Sequence, residues 1–205
     1  TYDYDDVQVS VVKTDAGAIS TDVVNAASFS TDGLELDVAW LATDSLQFRA
    51  QYAYTNRDFD DYPAYLGLNI QPSQGLTPDN QYSLVMDWQM WSSGGSTLDL
   101  QISTSHTDET VSINSVPGNY TAAGQPSIPV NLSQPTNQER DLVNARLTFN
   151  TEMDNGRNVN VALWGRNITD EEYRTFGINY GPALGYSVHQ WGNPATYGVD
   201  IRLDL

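Results

Sequence analysis

The sequence predicts an all-β protein, an antiparallel up-and-down transmembrane β-barrel of about eight strands in 205 residues. Three observations carry that expectation. Successive segments alternate apolar and polar residues with a period of two, which sends neighbouring side chains to opposite faces of a strand. Short and long connections alternate strictly between those segments. Aromatic residues gather near the segment ends, as in the two girdles of a barrel at its two membrane interfaces.

The first segment, DVQVSVV, is the least clean and alternates around Val7, Val9 and Val11. In GLELDVAWL, Leu34, Leu36, Val38 and Trp40 oppose Glu35 and Asp37; in LQFRAQYAYTN, Leu46, Phe48, Ala50, Tyr52 and Tyr54 oppose Gln47, Arg49 and Gln51. QYSLVMDWQMW sets Tyr82, Leu84, Met86, Trp88 and Met90 against Ser83, Val85, Asp87 and Gln89. STLDLQISTS sets Leu98, Leu100 and Ile102 against Asp99, Gln101 and Ser103. DLVNARLTFN follows with Val143, Ala145, Leu147 and Phe149 opposite Asn144, Arg146, Thr148 and Asn150, then VNVALWGRN with Val159, Val161 and Leu163 opposite Asn160, Ala162, Trp164 and Arg166. The last segment, YGVDIRLDL, places Tyr197, Val199, Ile201, Leu203 and Leu205 on one side and Gly198, Asp200, Arg202 and Asp204 on the other.

Tight turns are expected at 42–45 (ATDS), 92–96 (SSGGS) and 153–157 (MDNGR), where Asn155 and Gly156 suit the positive dihedrals of a hairpin. The other connections, at roughly 57–80, 107–139 and 170–189 with a shorter one near 13–21, are long. All tight turns therefore lie at one end of the sheet and all long loops at the other, the plan of an outer-membrane barrel. A soluble β-sandwich or lectin-like domain also alternates, and is the competing reading of these residues.

Composition removes other classes. No stretch approaches the ~20 consecutive apolar residues of a spanning helix. Nine basic residues against 26 acidic ones give a net charge of −17, which repels phosphate backbones, so nucleic acid is not an expected partner. Without cysteine there is neither a disulfide framework nor a thiolate ligand set.

RNITDEEYRTFG at 166–177, continuing in HQWGNPATYGVDIRLDL at 189–205, resembles the closing hairpin of a TonB-dependent outer-membrane receptor. The matching positions are Asn167, Ile168, Thr169, Asp170, Glu172, Tyr173, Gly192, Pro194, Thr196, Tyr197 and Gly198. YDYDDVQV at 2–9 and NAASFSTDGLELDVAW at 25–40, with Gly33 and Glu35, are similar to the same family's barrel. The resemblance implies that residues 1–205 are one barrel segment, the C-terminal part of a larger barrel of about 22 strands. The family's plug domain, earlier strands and TonB-contacting segment are not in these residues. It implies a multi-pass protein of a Gram-negative outer membrane that takes up a scarce substrate such as an iron-siderophore complex, with no cofactor and no enzymatic activity. Its implied partners are outer-membrane lipid and lipopolysaccharide, the TonB complex, the barrel assembly machinery and a small-molecule cargo. Thr196, Gly198, Ile201, Leu203 and the final Leu205 resemble the family's assembly signal, although an aromatic residue usually stands last. A small eight-stranded surface barrel and a soluble carbohydrate-binding sandwich are the alternatives.

Candidate chemistry is sparse. His106 and His189 stand apart from any nucleophile or metal-pair motif, so no catalytic and no metal-binding residue is predicted. Glu171 and Glu172 are adjacent and diverge on an extended chain, and the acidic run at 57–62 reads as solvated charge that would suit a hard cation if it bound one. Loop aromatics are the better candidates for ligand contact: Tyr62, Tyr65, Tyr120, Tyr180, Tyr186 and Trp191, with His189 beside them. Arg49, Asp37, Arg146, Arg166, Asp200 and Arg202 fall on the polar face, either to pair inside a small barrel or to line the wet wall of a large one.

Overall fold

The structure is a computed structural model, and it describes residues 1–5, 8–15, 18–25, 28–59, 77–111, 118–120, 128–130, 136–153, 156–179 and 186–203. In chain order the strands are β1 (Tyr2–Tyr4), β2 (Gln8–Asp15), β3 (Ala18–Asn25), β4 (Phe29–Thr43), β5 (Leu46–Phe59), β6 (Asn80–Ser93), β7 (Ser96–Thr107), β8 (Thr110–Val111), β9 (Gly118–Tyr120), β10 (Ile128–Val130), β11 (Thr136–Asn137), β12 (Arg140–Glu152), β13 (Asn158–Arg166), β14 (Arg174–Asn179), β15 (Ser187–Trp191) and β16 (Thr196–Leu203). Eight of them form one antiparallel sheet in the order β1-β4-β5-β6-β7-β12-β13-β16. The remaining eight pair two by two within the connections: β2 with β3, β8 with β11, β9 with β10, β14 with β15.

The order of connections matches the sequence reading. The tight turns after β4, β6 and β12 lie at one end of the sheet, and the segments after β1, β5, β7 and β13 lie at the other. Gly94 and Gly95 both have positive φ, 58° and 78°, as the two-residue turn between Ser93 and Ser96 requires. In the turn after β12 the Gly156 amide donates to the carbonyl of Met153, and the Met153 amide donates to that of Arg157. Bulges between Leu41 and Thr43 and between Gln89 and Trp91 sit beside two of the tight turns, where sheet rims tolerate an extra residue.

One element is corrected. The segment around Val9 and Val11, expected as the first barrel strand, is not in the main sheet: as β2 it pairs residue by residue with β3, Val9 opposite Val24 and Val11 opposite Asp22, and the two strands run into the connection expected near 13–21. The sheet's first strand is the short β1, with Tyr2 opposite Thr31 and Tyr4 opposite Phe29. The cause is local. An arm ten or so residues away closes a far smaller loop than a distant strand does, and alternation alone does not name the partner.

The sheet has two unlike faces. Across the middle of one, the registers align Leu46, Trp88, Leu100, Leu147, Leu163 and Val199, with Trp40, Phe48, Met86, Ile102, Ala145, Gly165 and Tyr197 in the next row. Among the described residues Ala162 is the one fully buried apolar side chain, while Trp40, Leu163 and Ile201 are 60%, 54% and 74% exposed. A sandwich would set a second sheet ~10 Å away across that face. None of the described strands does so, which removes the sandwich reading. The sheet is also not closed on itself: β1 pairs with β4 and β16 with β13, and they do not pair with each other.

The last four elements are joined by rings lying on glycines. A Cβ on Gly192 would run into the Tyr173 ring, and one on Gly198 into the Trp164 ring; at Gly165 it would come 2.6 Å from Ile168 Cγ2 and 2.8 Å from Tyr197 Cδ1. Each bare backbone position is thus filled by an aromatic ring or an isoleucine methyl, a known way of protecting sheet glycines. Gly198→Leu is accordingly expected to displace Trp164 and cost about 1–3 kcal/mol, the usual range for forced overpacking. Urea unfolding followed by tryptophan emission would show it; an unchanged midpoint would mean the ring is not held there.

Candidate functional site

The polar face is a wall whose charges meet within the sheet. Asp87 accepts from Arg49 Nη2 at 2.7 Å and from Gln101 Nε2 at 2.7 Å, tying β5, β6 and β7 together. Asp200 on β16 accepts from Arg146 Nη1 of β12 at 2.8 Å and from Trp164 Nε1 of β13 at 3.1 Å. Arg166 lies over the Trp164 ring, 5.5 Å from its centroid. Asp37 takes a bond from Gln51, and Asp99 takes bonds from Thr97 and Asn150. These ion pairs leave their side chains a third to a half exposed, Arg49 and Asp87 at 52% and 33%, so solvent screens them and they add little to stability. A shallow groove runs along Asn144, Arg146, Trp164, Arg166 and Asp200. Of the two arrangements open to these arginines and aspartates, the sheet shows pairing on a half-exposed wall, between adjacent strands for Arg49 and Asp87 and across β13 for Arg146 and Asp200.

At the end carrying the long connections, Asn167 fastens the end of β13 to the chain beyond it. It is 5% exposed and left-handed at φ 48°, and Asp170 follows at φ 54°. Its side-chain amide donates to the carbonyls of Glu171 (2.9 Å) and Asn193 (3.1 Å), and its Oδ1 accepts from the Glu171 amide at 2.9 Å. Its own amide donates to Asn144 Oδ1 at 3.0 Å, and Asp170 Oδ1 accepts from the Ala195 amide at 2.9 Å. The run from Asn167 to Asp170 is therefore a polar knot between the end of β13 and the start of β16. The sequence reading used it only as a likeness; asparagine's tolerance of the left-handed region is the physical signal it carried.

Of the residues predicted for ligand contact, His189 and Trp191 lie on β15, which pairs with β14 as a hairpin of the last long connection, and Tyr186 precedes that strand. Alternation puts Ser187, His189 and Trp191 on one face, and Ser187 Oγ is 3.0 Å from His189 Nε2. Tyr186 and Trp191 are exposed. Tyr120 is in β9, with its backbone opposite Ile128. Tyr62, Tyr65 and Tyr180 lie outside the described residues, as does Leu205. Thr196, Gly198, Ile201 and Leu203 all fall on β16, opposite Arg166, Trp164, Val161 and Val159.

A second cluster was missed from sequence. The row beyond the last apolar one reads Leu36, Tyr52, Tyr82, His106, Asp141 on the apolar face, at the rim bearing the long connections. His106, read as isolated, has Nδ1 2.9 Å from Asp141 Oδ1 and Nε2 2.9 Å from Asp108 Oδ1, and its ring stacks on Tyr82 at 4.6 Å. Asp108 Oδ2 in turn accepts from the Asn80 amide (2.9 Å) and side chain (2.7 Å), and Asn80 Oδ1 accepts from the Tyr52 hydroxyl at 2.8 Å. Burial by itself pushes the Asp108 pKa up, yet the bonds from His106 and Asn80 hold it below the usual carboxylate value. The signal was the β7–β12 register, which the long connection between those strands conceals.

No protein-family model matches the chain, and no curated protein matches it. Solved structures do. The ferric preacinetobactin receptor BauA from Acinetobacter baumannii superimposes with a TM-score of 0.60 at 15% identity, over 95% of this chain and 25% of BauA. FpvA of P. aeruginosa, in complex with a heterologous pyoverdine and iron, gives 0.52 at 12% identity, over 94% of this chain and 22% of FpvA. The chain thus spans about a quarter of the length of these proteins. An all-β antiparallel sheet, open at both edges and laid on a fraction of each of these molecules, has the fold of a barrel portion of the TonB-dependent receptors.

Proposed function

We propose that the chain is barrel wall and extracellular loops of a TonB-dependent outer-membrane receptor that imports a scarce substrate, an iron-siderophore complex being the first candidate class. One observation carries this reading: an open meander with an apolar face, a wet polar face, and every long connection at the same end. In a membrane barrel the apolar face meets lipid, the polar face lines the lumen, and the long connections face outward. The names of the two similar receptors supply the cargo class. On this reading the half-exposed lumen wall is covered by a plug, and TonB acts through that plug. The long connections, with His189, Trp191, Tyr186 and the tyrosines Tyr62, Tyr65, Tyr120 and Tyr180, meet the cargo. β16, with Leu205 after it, is the strand that the assembly machinery recognises, and lipopolysaccharide covers the outer rim. No catalysis is involved.

The rival, a small barrel of eight strands, needs β1 to pair with β16, and the sheet order does not join them. The deciding measurement is the intact mass of the native protein extracted from outer membranes. A species several times heavier than the 22.6 kDa of this chain is expected, with uptake of radiolabelled iron lost on deleting its gene. A mature mass near 22.6 kDa leaves no room for a plug and sinks the import reading.

A further inference from the structure

We infer that a cavity at the rim bearing the long connections binds a carboxylate carried next to a hydroxyl, with Arg140 as its anchor. Gln81 on β6, Thr107 on β7 and Arg140 on β12 stand side by side in one row of the polar face. The cavity they line holds about 260 Å³, and Thr77, Thr110 and Asn137 complete its polar wall. Its walls therefore come from three strands, from the end of the connection after β5 and from both arms of the connection after β7. Sites for drug-sized ligands begin at about 300 Å³, so this one takes a small anion or a single arm of a larger molecule.

Charge selects the ligand. The chain carries 26 acidic residues against nine basic ones, yet no carboxylate lines this cavity. Asp141, next to Arg140 in the chain, is turned to the other face and meets His106. Among the described residues the Arg140 guanidinium has one partner, the Tyr173 ring, 5.5 Å from its centroid. A ring supports the positive charge but leaves the N–H groups without an oxygen acceptor, and a carboxylate takes two of them at once. The hydroxyl follows from the neutral part of the wall, whose threonines and amides both donate and accept. Thr110 is 6% exposed, and its Oγ accepts from Asn137 Nδ2 at 2.9 Å. Asn137 Oδ1 is buried with no donor among the described residues. A turn of that amide toward the cavity it lines lets a ligand hydroxyl supply the donor. Treating this ligand as an arm of the imported cargo rests on the import reading above; the binding itself does not.

The test titrates glycolate, which joins the two groups on one carbon, into the intact protein that carries this chain, in detergent, with binding read by saturation-transfer NMR. Saturable binding is expected. Glycolamide, the same shape without the charge, should bind about 10- to 150-fold more weakly, the range for a hydrogen bond to a charged group, and acetate, without the hydroxyl, about 2- to 10-fold more weakly. Arg140→Gln should erase the preference for glycolate over glycolamide. No saturable binding, or glycolamide bound as well as glycolate by the wild type, overturns the site, and neither result needs a variant to fold. A folded Arg140→Gln protein that keeps the full preference overturns it too, and acetate bound as tightly as glycolate strikes out the hydroxyl. A mature mass near 22.6 kDa with glycolate still bound would remove the import reading and leave the site, whereas a heavier protein that ignores glycolate would do the reverse.

Discussion

Asn167→Ala is expected to destabilise the protein by about 3 kcal/mol. The substitution removes the acceptor of the Glu171 amide and the donors to the carbonyls of Glu171 and Asn193. A buried group left without its partner costs about 1–3 kcal/mol, discounted here for Asn193, which is exposed. Alanine must also take φ 48°, for which a residue with a Cβ loses roughly 1–2 kcal/mol. Asn167→Gly separates the two causes. It keeps the backbone angle without strain and should be milder than the alanine variant by about 1 kcal/mol. Thermal or urea unfolding in detergent measures both, and an alanine variant within about 0.5 kcal/mol of the wild type, the usual scatter of surface changes, would show that the knot holds nothing.

Leu163→Arg addresses the membrane reading directly. Leu163 lies midway along β13 in the central apolar row, and it is 54% exposed. If lipid surrounds that row, an arginine there costs about 2–4 kcal/mol, the range for a charge at the bilayer midplane on a barrel's outer surface. Gln47→Arg lies on the polar face in the row of Asp87 and Gln101, and should change stability by no more than about 0.5 kcal/mol. Folding into lipid vesicles, with the free energy read from urea titration, compares them. Equal effects at the two positions would mean that the two faces see the same solvent, and the barrel assignment would fall.

Much of the sheet is legible in the chain because a strand's two faces are written into alternate residues. Leu98, Leu100 and Ile102 against Asp99, Gln101 and Ser103 read as one wall from sequence, and the ladders place them so. Turn chemistry did the same for Gly94 and Gly95. What alternation does not encode is the partner. The valines around Val9 also alternate, though less cleanly than the other strands, and they pair with the neighbouring arm instead of the sheet. Long-range encounters are equally hidden: His106 and Asp141 are brought opposite each other by a register set along β7 and β12. For Asn167 the motif was visible but its full work was not: two of its bonds, to Glu171, are local, but the one to the Asn193 carbonyl depends on how the chain entering β16 approaches the end of β13.

The rings seated on Gly165 and Gly198 bear on how the final strand finds its place. A slip of one residue would turn every side chain of β16 to the wrong face and is strongly opposed. A slip of two keeps oily and polar residues on their proper sides, so solvent preference hardly opposes it. Shape does. Moved by two, Trp164 meets Asp200 or Thr196 in place of Gly198, and a side chain then occupies the space its ring needs. Tyr197, moved one way, meets Leu163 in place of Gly165. The glycines thus act as notches for particular keys, discriminating between two alignments that hydrophobicity alone scores nearly alike. Gly198→Leu would therefore raise the fraction of barrels closed in the wrong alignment, an error in assembly distinct from any loss of stability once the right one has formed.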